Sequence, residues 1–239
     1  MINQEEEFSM QKVKNTILLS LLLFVGTCLS QAQIGEARHQ FSLGGNAGVN
    51  INSVMFTPTI KQGTLIGPTF GVTARYISEK YFAMICGAQL EINFSQRGWK
   101  EKFEEQPNNS YSRTMNYIEI PFLAHLAFGR EDKGLQFFIH LGPEIAFLLS
   151  EKEKFSKDFE PLNVVFQQYG KMVDSKFDYG ITGGLGVELK TKKAGSFLVE
   201  GRYYFGLSDF YNNTKKDYFD RSAHSVIKVK LTYLFNLTK

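Results

Sequence analysis

Cysteine is all but missing from this sequence. Only Cys28 and Cys86 occur in 239 residues, and Cys28 falls in a stretch read below as removable. The remaining chain then has no intramolecular disulfide and must be stable without one. Proline is scarce, with six residues, so few positions are barred from a hydrogen-bonded ladder. Beyond the N-terminus no run of 18 apolar residues occurs, and mean hydropathy is −0.19, which excludes a helical membrane bundle. Charge of one sign is also lacking. The excess of 27 Lys and Arg over 24 Asp and Glu leaves +3, too little to suggest a nucleic-acid partner. No zinc-ligand spacing, P-loop or dinucleotide fingerprint is present, so no metal or cofactor is expected. The Gly-rich "GGLGVE" at 183–188 sits in a strand pattern with no helix after it, and reads as a crowded strand.

What the chain has in quantity is Phe (22), Tyr (11) and Gly (21), the residues of strands, turns and crowded sheet faces. Its N-terminus, "QKVKNTILLSLLLFVGTCLSQAQ", places Lys12 and Lys14 before an apolar run from Ile17 to Val25, followed by small residues at Ser30 and Ala32. This is the pattern of a secretory signal peptide over residues 1–32, and the run is too short for a membrane span. The acidic stretch before Met10 is foreign to such a peptide, which makes Met10 an alternative start. "VGTC" loosely matches a lipoprotein processing site, but Thr27 fits it poorly. Residues 33–239 are read as a single domain.

Eight segments of that domain alternate apolar and polar residues with period two, the mark of strands with two different faces. They cover roughly 39–51, 66–77, 81–96, 116–129, 135–149, 176–190, 196–207 and 222–235. In the fourth, Ile118, Ile120, Phe122, Ala124, Leu126 and Phe128 alternate with Glu119, Pro121, Leu123 and His125. Connections alternate in length too. "SEK", "GREDKG" and "TKKAG" are short, whereas 52–64, 97–115, 150–175 and 208–221 are long and polar. An even strand number with short turns on one side and long loops on the other predicts an eight-stranded antiparallel up-and-down transmembrane β-barrel. Its short turns would be periplasmic and its long loops extracellular.

The rival is a soluble, ligand-binding barrel with the apolar face turned inward. Against it, the apolar face is much the bulkier, and the polar face is rich in Gly, which suits a narrow interior. Aromatic residues (Phe41, Tyr76, Phe128, Tyr179) also stand near strand ends, where membrane girdles lie. The polar face then lines the lumen and forms a candidate charge network of Arg75, Glu91, Glu119, Glu144, Glu200, Arg202 and Lys228. Glu188, Lys230, His125 and His140 share that face. Such charges must pair, because a buried unpaired one costs several kcal/mol. A symmetric turn after Phe128 would set Glu119 beside Glu144 and Leu123 beside His140. It would also set Pro143 almost opposite Pro121, which predicts irregular pairing at both prolines.

Taken together, "YIEIPFLAHLAFG" (117–129), "FFIHLGPEIAFLLSEK" (137–152), "DYGITGGLGVELK" (178–190), "VEGRYYFGLSDF" (199–210) and "VIKVKLTYLF" (226–235) resemble the PorT-like outer-membrane β-barrel family. The resemblance spans about residues 39–235. It implies an eight-stranded barrel in the outer membrane of a diderm bacterium, and the best-known branch of that family takes part in protein secretion. It implies no particular functional residue.

Three functions follow as expectations. The first is a non-enzymatic barrel serving as membrane anchor, secretion or assembly component, or surface binder. Its contacts would be outer-membrane lipid and a secretion-machinery or surface protein, the latter met through Trp99, Val164, Val165, Phe166 and Tyr169 in the long loops. The second is a narrow channel for small solutes, which an eight-stranded lumen packed with side chains disfavours. The third is a lipid-modifying enzyme, for which His224 beside Ser222 or Ser225 is the only His/Ser neighbourhood near a loop, a weak signal without an oriented base and oxyanion site.

Overall fold

Why the alternation runs unbroken for so many residues becomes clear once the strands are joined. The computed structural model describes residues 35–103, 109–131, 133–156, 169–191, 195–214 and 217–238. The expected signal peptide lies outside them. Within them are β1 (Glu36–Thr57), a two-residue β2 (Gln62–Gly63), β3 (Leu65–Tyr81), β4 (Met84–Glu101), β5 (Tyr111–Gly129), β6 (Gly134–Phe155), β7 (Phe177–Lys190), β8 (Ser196–Gly206) and β9 (Arg221–Asn236). The eight long strands pair antiparallel in chain order and β1 closes on β9, so no edge is left. The short β2 only decorates the outer end of β4.

Closure comes with a stagger. Followed one way round the ring, the level of Asn46 reaches β5 at Glu119; followed the other way it reaches Gly129. A ten-residue offset over eight strands, at about 3.3 Å rise and about 4.8 Å spacing, tilts the strands by about 40°. Tilted so, 9–11 residues cross a bilayer, yet β5 and β6 have 19 and 22. The excess stands on the side of the long loops, above the membrane.

The large apolar side chains point outward: Ile66, Leu185 and Leu231 are 64%, 66% and 61% exposed. Facing inward, Thr182, Glu119, His140 and Glu144 are wholly buried. A soluble barrel with an apolar interior is therefore excluded. Ring contacts among Phe197, Tyr233 and Phe235 near the short-turn rim, and among Phe147, Phe177 and Tyr179 near the other, form the aromatic girdles. The expected girdle residues Phe41 and Tyr76 are cross-strand partners at the short-turn rim.

Two details depart from the sequence reading. The β5–β6 register is two residues further on: Pro121 faces Glu144, His125 faces His140, and Glu119 faces Ala146. The turn between Gly129 and Gly134, both at positive φ, sets this register asymmetrically. At the prolines the ladders lapse without a change of register, between Pro121 and Ala124 on the β6 side and between Asn93 and Leu90 on the β4 side. The true bulge comes at Asn116/Tyr117, at the outer edge of the membrane.

Gly44 and Gly48 let β1 close against β9. A Cβ on them would stand 1.7 Å from the Tyr233 carbonyl oxygen and 2.1 Å from that of Val229. Gly48→Val is therefore expected to stop ring closure. On SDS gels, unboiled wild type will migrate apart from boiled protein, and the variant will show only the unfolded band.

Candidate functional site

The lumen is filled from end to end. At the periplasmic rim Ile77, Ile85, Ala127, Phe138, Leu198 and Leu234 form an apolar floor. Above it, six carboxylates (Glu91, Glu119, Glu144, Asp178, Glu188, Glu200) share the interior with six cations (Arg75, Arg97, Lys190, Arg202, Lys228, Lys230), all buried. Alternation puts them there, and pairing makes the burial tolerable, since taking each ion out of water costs several kcal/mol before its partners repay it.

They form three tiers. Lowest, Arg75 makes a two-pronged contact with Glu188 at 2.6 and 2.8 Å. In the middle, Arg202 grips Glu91 at 3.0 and 3.1 Å and Glu200 at 2.7 and 2.9 Å, while Lys230 reaches Glu91 at 2.5 Å. Gln89 and Asn93 donate to the same Glu91. His140 Nδ1 lies 2.9 Å from Glu200, and its Nε2 lies 2.8 Å from His125 Nδ1. Highest, Arg97 donates to Glu119, Glu144 and Asp178 at 2.6–2.7 Å, and Lys228 bridges Glu119 and Glu144 at 2.7 and 2.6 Å. The Arg97 guanidinium stacks on Tyr204, 4.2 Å from the ring centre, and Tyr204 donates to Asp178.

The seven network residues expected from sequence are thus all in the lumen, and Glu119 and Glu144 share two cations although they are not cross-strand neighbours. Arg97 and Asp178 were missed as members. The signal for Arg97 is present, since the inward series Gln89, Glu91, Asn93, Ser95 continues by twos to Arg97, but from residue 97 the chain turns charged and reads as loop.

Trp99 continues the same series, which corrects its expected role as a partner contact. It lies in β4, wholly buried, stacked on Phe210 at 5.7 Å and edge-on to Phe56 at 5.1 Å. With Tyr111, Met115, Tyr211 and Phe219 it plugs the extracellular mouth. Tyr169 packs at the rim of this plug and donates to Glu101 at 2.6 Å. Val164, Val165 and Phe166 lie outside the described residues.

Just above the plug, Arg113 donates to Glu151, Glu153 and Tyr211. Burial alone would raise the Glu153 carboxyl, but Tyr111 and Arg113 hold it below the ordinary carboxylate value. Glu153 also receives the Gly170 amide at 3.2 Å, tying the β6–β7 connection to the wall.

His224 and its serines do not form a unit. His224 Nε2 meets the Tyr117 hydroxyl at 3.1 Å, Ser222 accepts the Tyr211 amide, and Ser225 meets Tyr203 on the outer face. Among the described residues, no cluster of three His, Cys, Asp or Glu could hold a metal ion.

Residues 31–212 match the family model described as outer membrane protein beta-barrel domain. Among curated proteins no sequence matches the chain. Solved structures similar to it include Ail of Yersinia pestis (12% identity, TM-score 0.37, 83% of this chain and 100% of that one). The Neisserial surface protein NspA has 11% identity and a TM-score of 0.41, over 83% and 99% of the two chains. OprG of Pseudomonas aeruginosa has 12% identity and a TM-score of 0.41, over 84% and 98%. Likeness at this level carries no argument about activity.

Two outcomes are expected. Arg97→Met removes a cation shared by three carboxylates, leaving Asp178 with none among the described residues and Glu119 and Glu144 with Lys228 alone, and will cost about 3–5 kcal/mol in reversible denaturant unfolding from lipid vesicles. Arg97→Lys, which keeps the charge and loses the fork, will cost less. For Glu153, a depressed folded-state pKa means its contribution is complete above the ordinary carboxylate value of 4.5 and is lost as pH falls through the lower folded value. Protection of the Gly170 amide, taken relative to the intrinsic exchange rate at each pH, will fall over that acidic window, and Glu153→Gln will abolish that fall.

Proposed function

The chain belongs to the outer membrane β-barrel domain family, and from that premise we propose that it is a sealed, non-enzymatic outer-membrane barrel that works through its extracellular surface. The observation that carries this reading is the lumen: among the described residues, an apolar floor, tiers of ion pairs and an aromatic plug succeed one another. A group that transports solute needs a wet path, and this packing favours an anchor over the narrow-channel reading. A lipid-modifying role lacks support from the one His/Ser neighbourhood, whose members bond elsewhere.

Within that reading, the PorT-like motifs favour a part in secretion or assembly at the cell surface, with surface binding as the general form. The exposed Met172, 72% accessible and next to the ordered Tyr169 turn, stands where a protein partner would approach.

Purified protein in planar bilayers is expected to show no steady conductance on the nanosiemens scale; a steady open level would overturn the sealed reading. In cells, a photo-crosslinker at Met172 is expected to give one reproducible protein adduct, and one at lipid-facing Ile181 none. Equal labelling from both positions, or from neither, counts against a surface partner.

A further inference from the structure

Charge on the extracellular extensions of β4, β5 and β6 is sorted by face. The carboxylates turn inward and are consumed there. Glu101 receives the Trp99 indole and the Tyr169 hydroxyl; Glu151 receives Arg113 and the Val173 amide; Glu153 receives Tyr111 and Arg113. Lysines turn outward. Lys100, Lys152 and Lys154 are exposed, and none has a carboxylate partner among the described residues.

Their height is set by the ladder beneath them. Going up the outer wall, the apolar belt of Phe94, Ile118 and Phe147 gives way to a hydrogen-bonded strip, Gln96 to Asn116 at 3.1 Å and Asn116 to Ser150 at 2.9 Å. The next outward row is Gly98, Thr114 and Lys152, and the one after is Lys100, Ser112 and Lys154. Two and four residues at about 3.3 Å rise and about 40° tilt put the lysine Cα atoms about 5 and 10 Å above the strip. The headgroup layer adds roughly 5–7 Å on each side of the hydrocarbon, so Lys152 starts within it and Lys100 and Lys154 start just above it, from where their flexible stems reach down.

Among the described residues, the opposite wall has nothing comparable. At matching positions it presents Ser53, Thr57 and Ser225, and its Arg221 is engaged with Phe205 and the Gly206 carbonyl. The cationic patch is therefore one-sided, about two strand spacings or ~10 Å wide.

We propose that Lys100, Lys152 and Lys154 form a binding site for the phosphate groups of the outer-leaflet glycolipid, which orients a bound lipid on the β4–β6 wall of the barrel. Three ammonium groups at and just above headgroup height, on a wall whose described carboxylates Glu101, Glu151 and Glu153 turn into the barrel, match a phosphorylated headgroup in charge and in depth. Gln96, Asn116 and Ser150 lie below them at the level of the headgroup's sugar hydroxyls and linking amides. This site does not depend on whether the loops also engage a protein.

The test uses the full chain purified in mild detergent, with a bisphosphorylated diglucosamine lipid and its dephosphorylated form as probes, and native mass spectrometry to count retained lipid. Wild type is expected to retain the phosphorylated probe about tenfold or more above the dephosphorylated one, the scale of several ammonium groups meeting an anionic surface. Retention should fall in about 1 M salt, where screening is strong. The triple variant Lys100→Ser, Lys152→Ser, Lys154→Ser should drop to the dephosphorylated level, while Lys133→Ser on the periplasmic turn should behave as wild type. Should the triple variant lose its heat-modifiable band, Lys100→Ser and Lys154→Ser are measured singly, each with a partial loss expected. Undiminished retention in the folded variants, equal retention of both probes by wild type, or loss of a protein crosslink with lipid retention unchanged would each overturn the proposal.

Discussion

Ion pairing across the lumen is the constraint on which the rest of this structure depends. Twelve ionised side chains are enclosed by a wall that shields them from bulk solvent, and no disulfide supports that wall. Their burial is sustainable only because each strand delivers its charge to a partner on another strand: Arg75 of β3 to Glu188 of β7, Lys230 of β9 to Glu91 of β4, Arg97 of β4 to three carboxylates on β5, β6 and β7. These contacts cross the lumen, so they exist only when the ring is closed at this register. A slip of one residue would turn every charge to the lipid. The network thus acts as a register lock as much as a source of stability.

With the described lumen side chains packed between floor and plug, the ends and the outer surface are what the barrel presents to other molecules. The strands continue past the membrane because their inward side chains, Arg97, Trp99, Tyr111 and Arg113, still find partners there. That raised collar does two things with one alternation. Its inner face closes the mouth and uses its carboxylates, and its outer face carries lysines with no carboxylate partner among the described residues, at and just above the level of lipid headgroups. The proposed protein contact above the collar and the proposed lipid contact beside it would then be separate.

The arrangement of the wall was legible in the chain because a strand's two-residue period writes membrane and lumen into alternate positions. Ile118, Ile120 and Phe122 could only face lipid if Glu119 and His125 faced inward. What failed to read through was every place where that code loses contrast. Beyond residue 96 both faces turn polar, so the continuation of β4 to Glu101 reads as loop and Trp99 as an exposed contact. The β5–β6 register escaped because the Gly129–Gly134 turn is asymmetric, and the bulge at Asn116 leaves no mark in hydropathy.

By itself, then, the sequence determined the eight-strand count, the outward apolar belt, the inward polar face and the seven expected members of the charge network, since each follows from local periodicity and the cost of exposing charge to lipid. Only the tertiary structure decided which charge meets which, that Arg97 and Asp178 join them, that Trp99 is a plug, and that Lys100, Lys152 and Lys154 stand together. Those outcomes depend on stagger and tilt, which bring together members of the charge network up to 139 positions apart, and no local pattern encodes a distance of that kind.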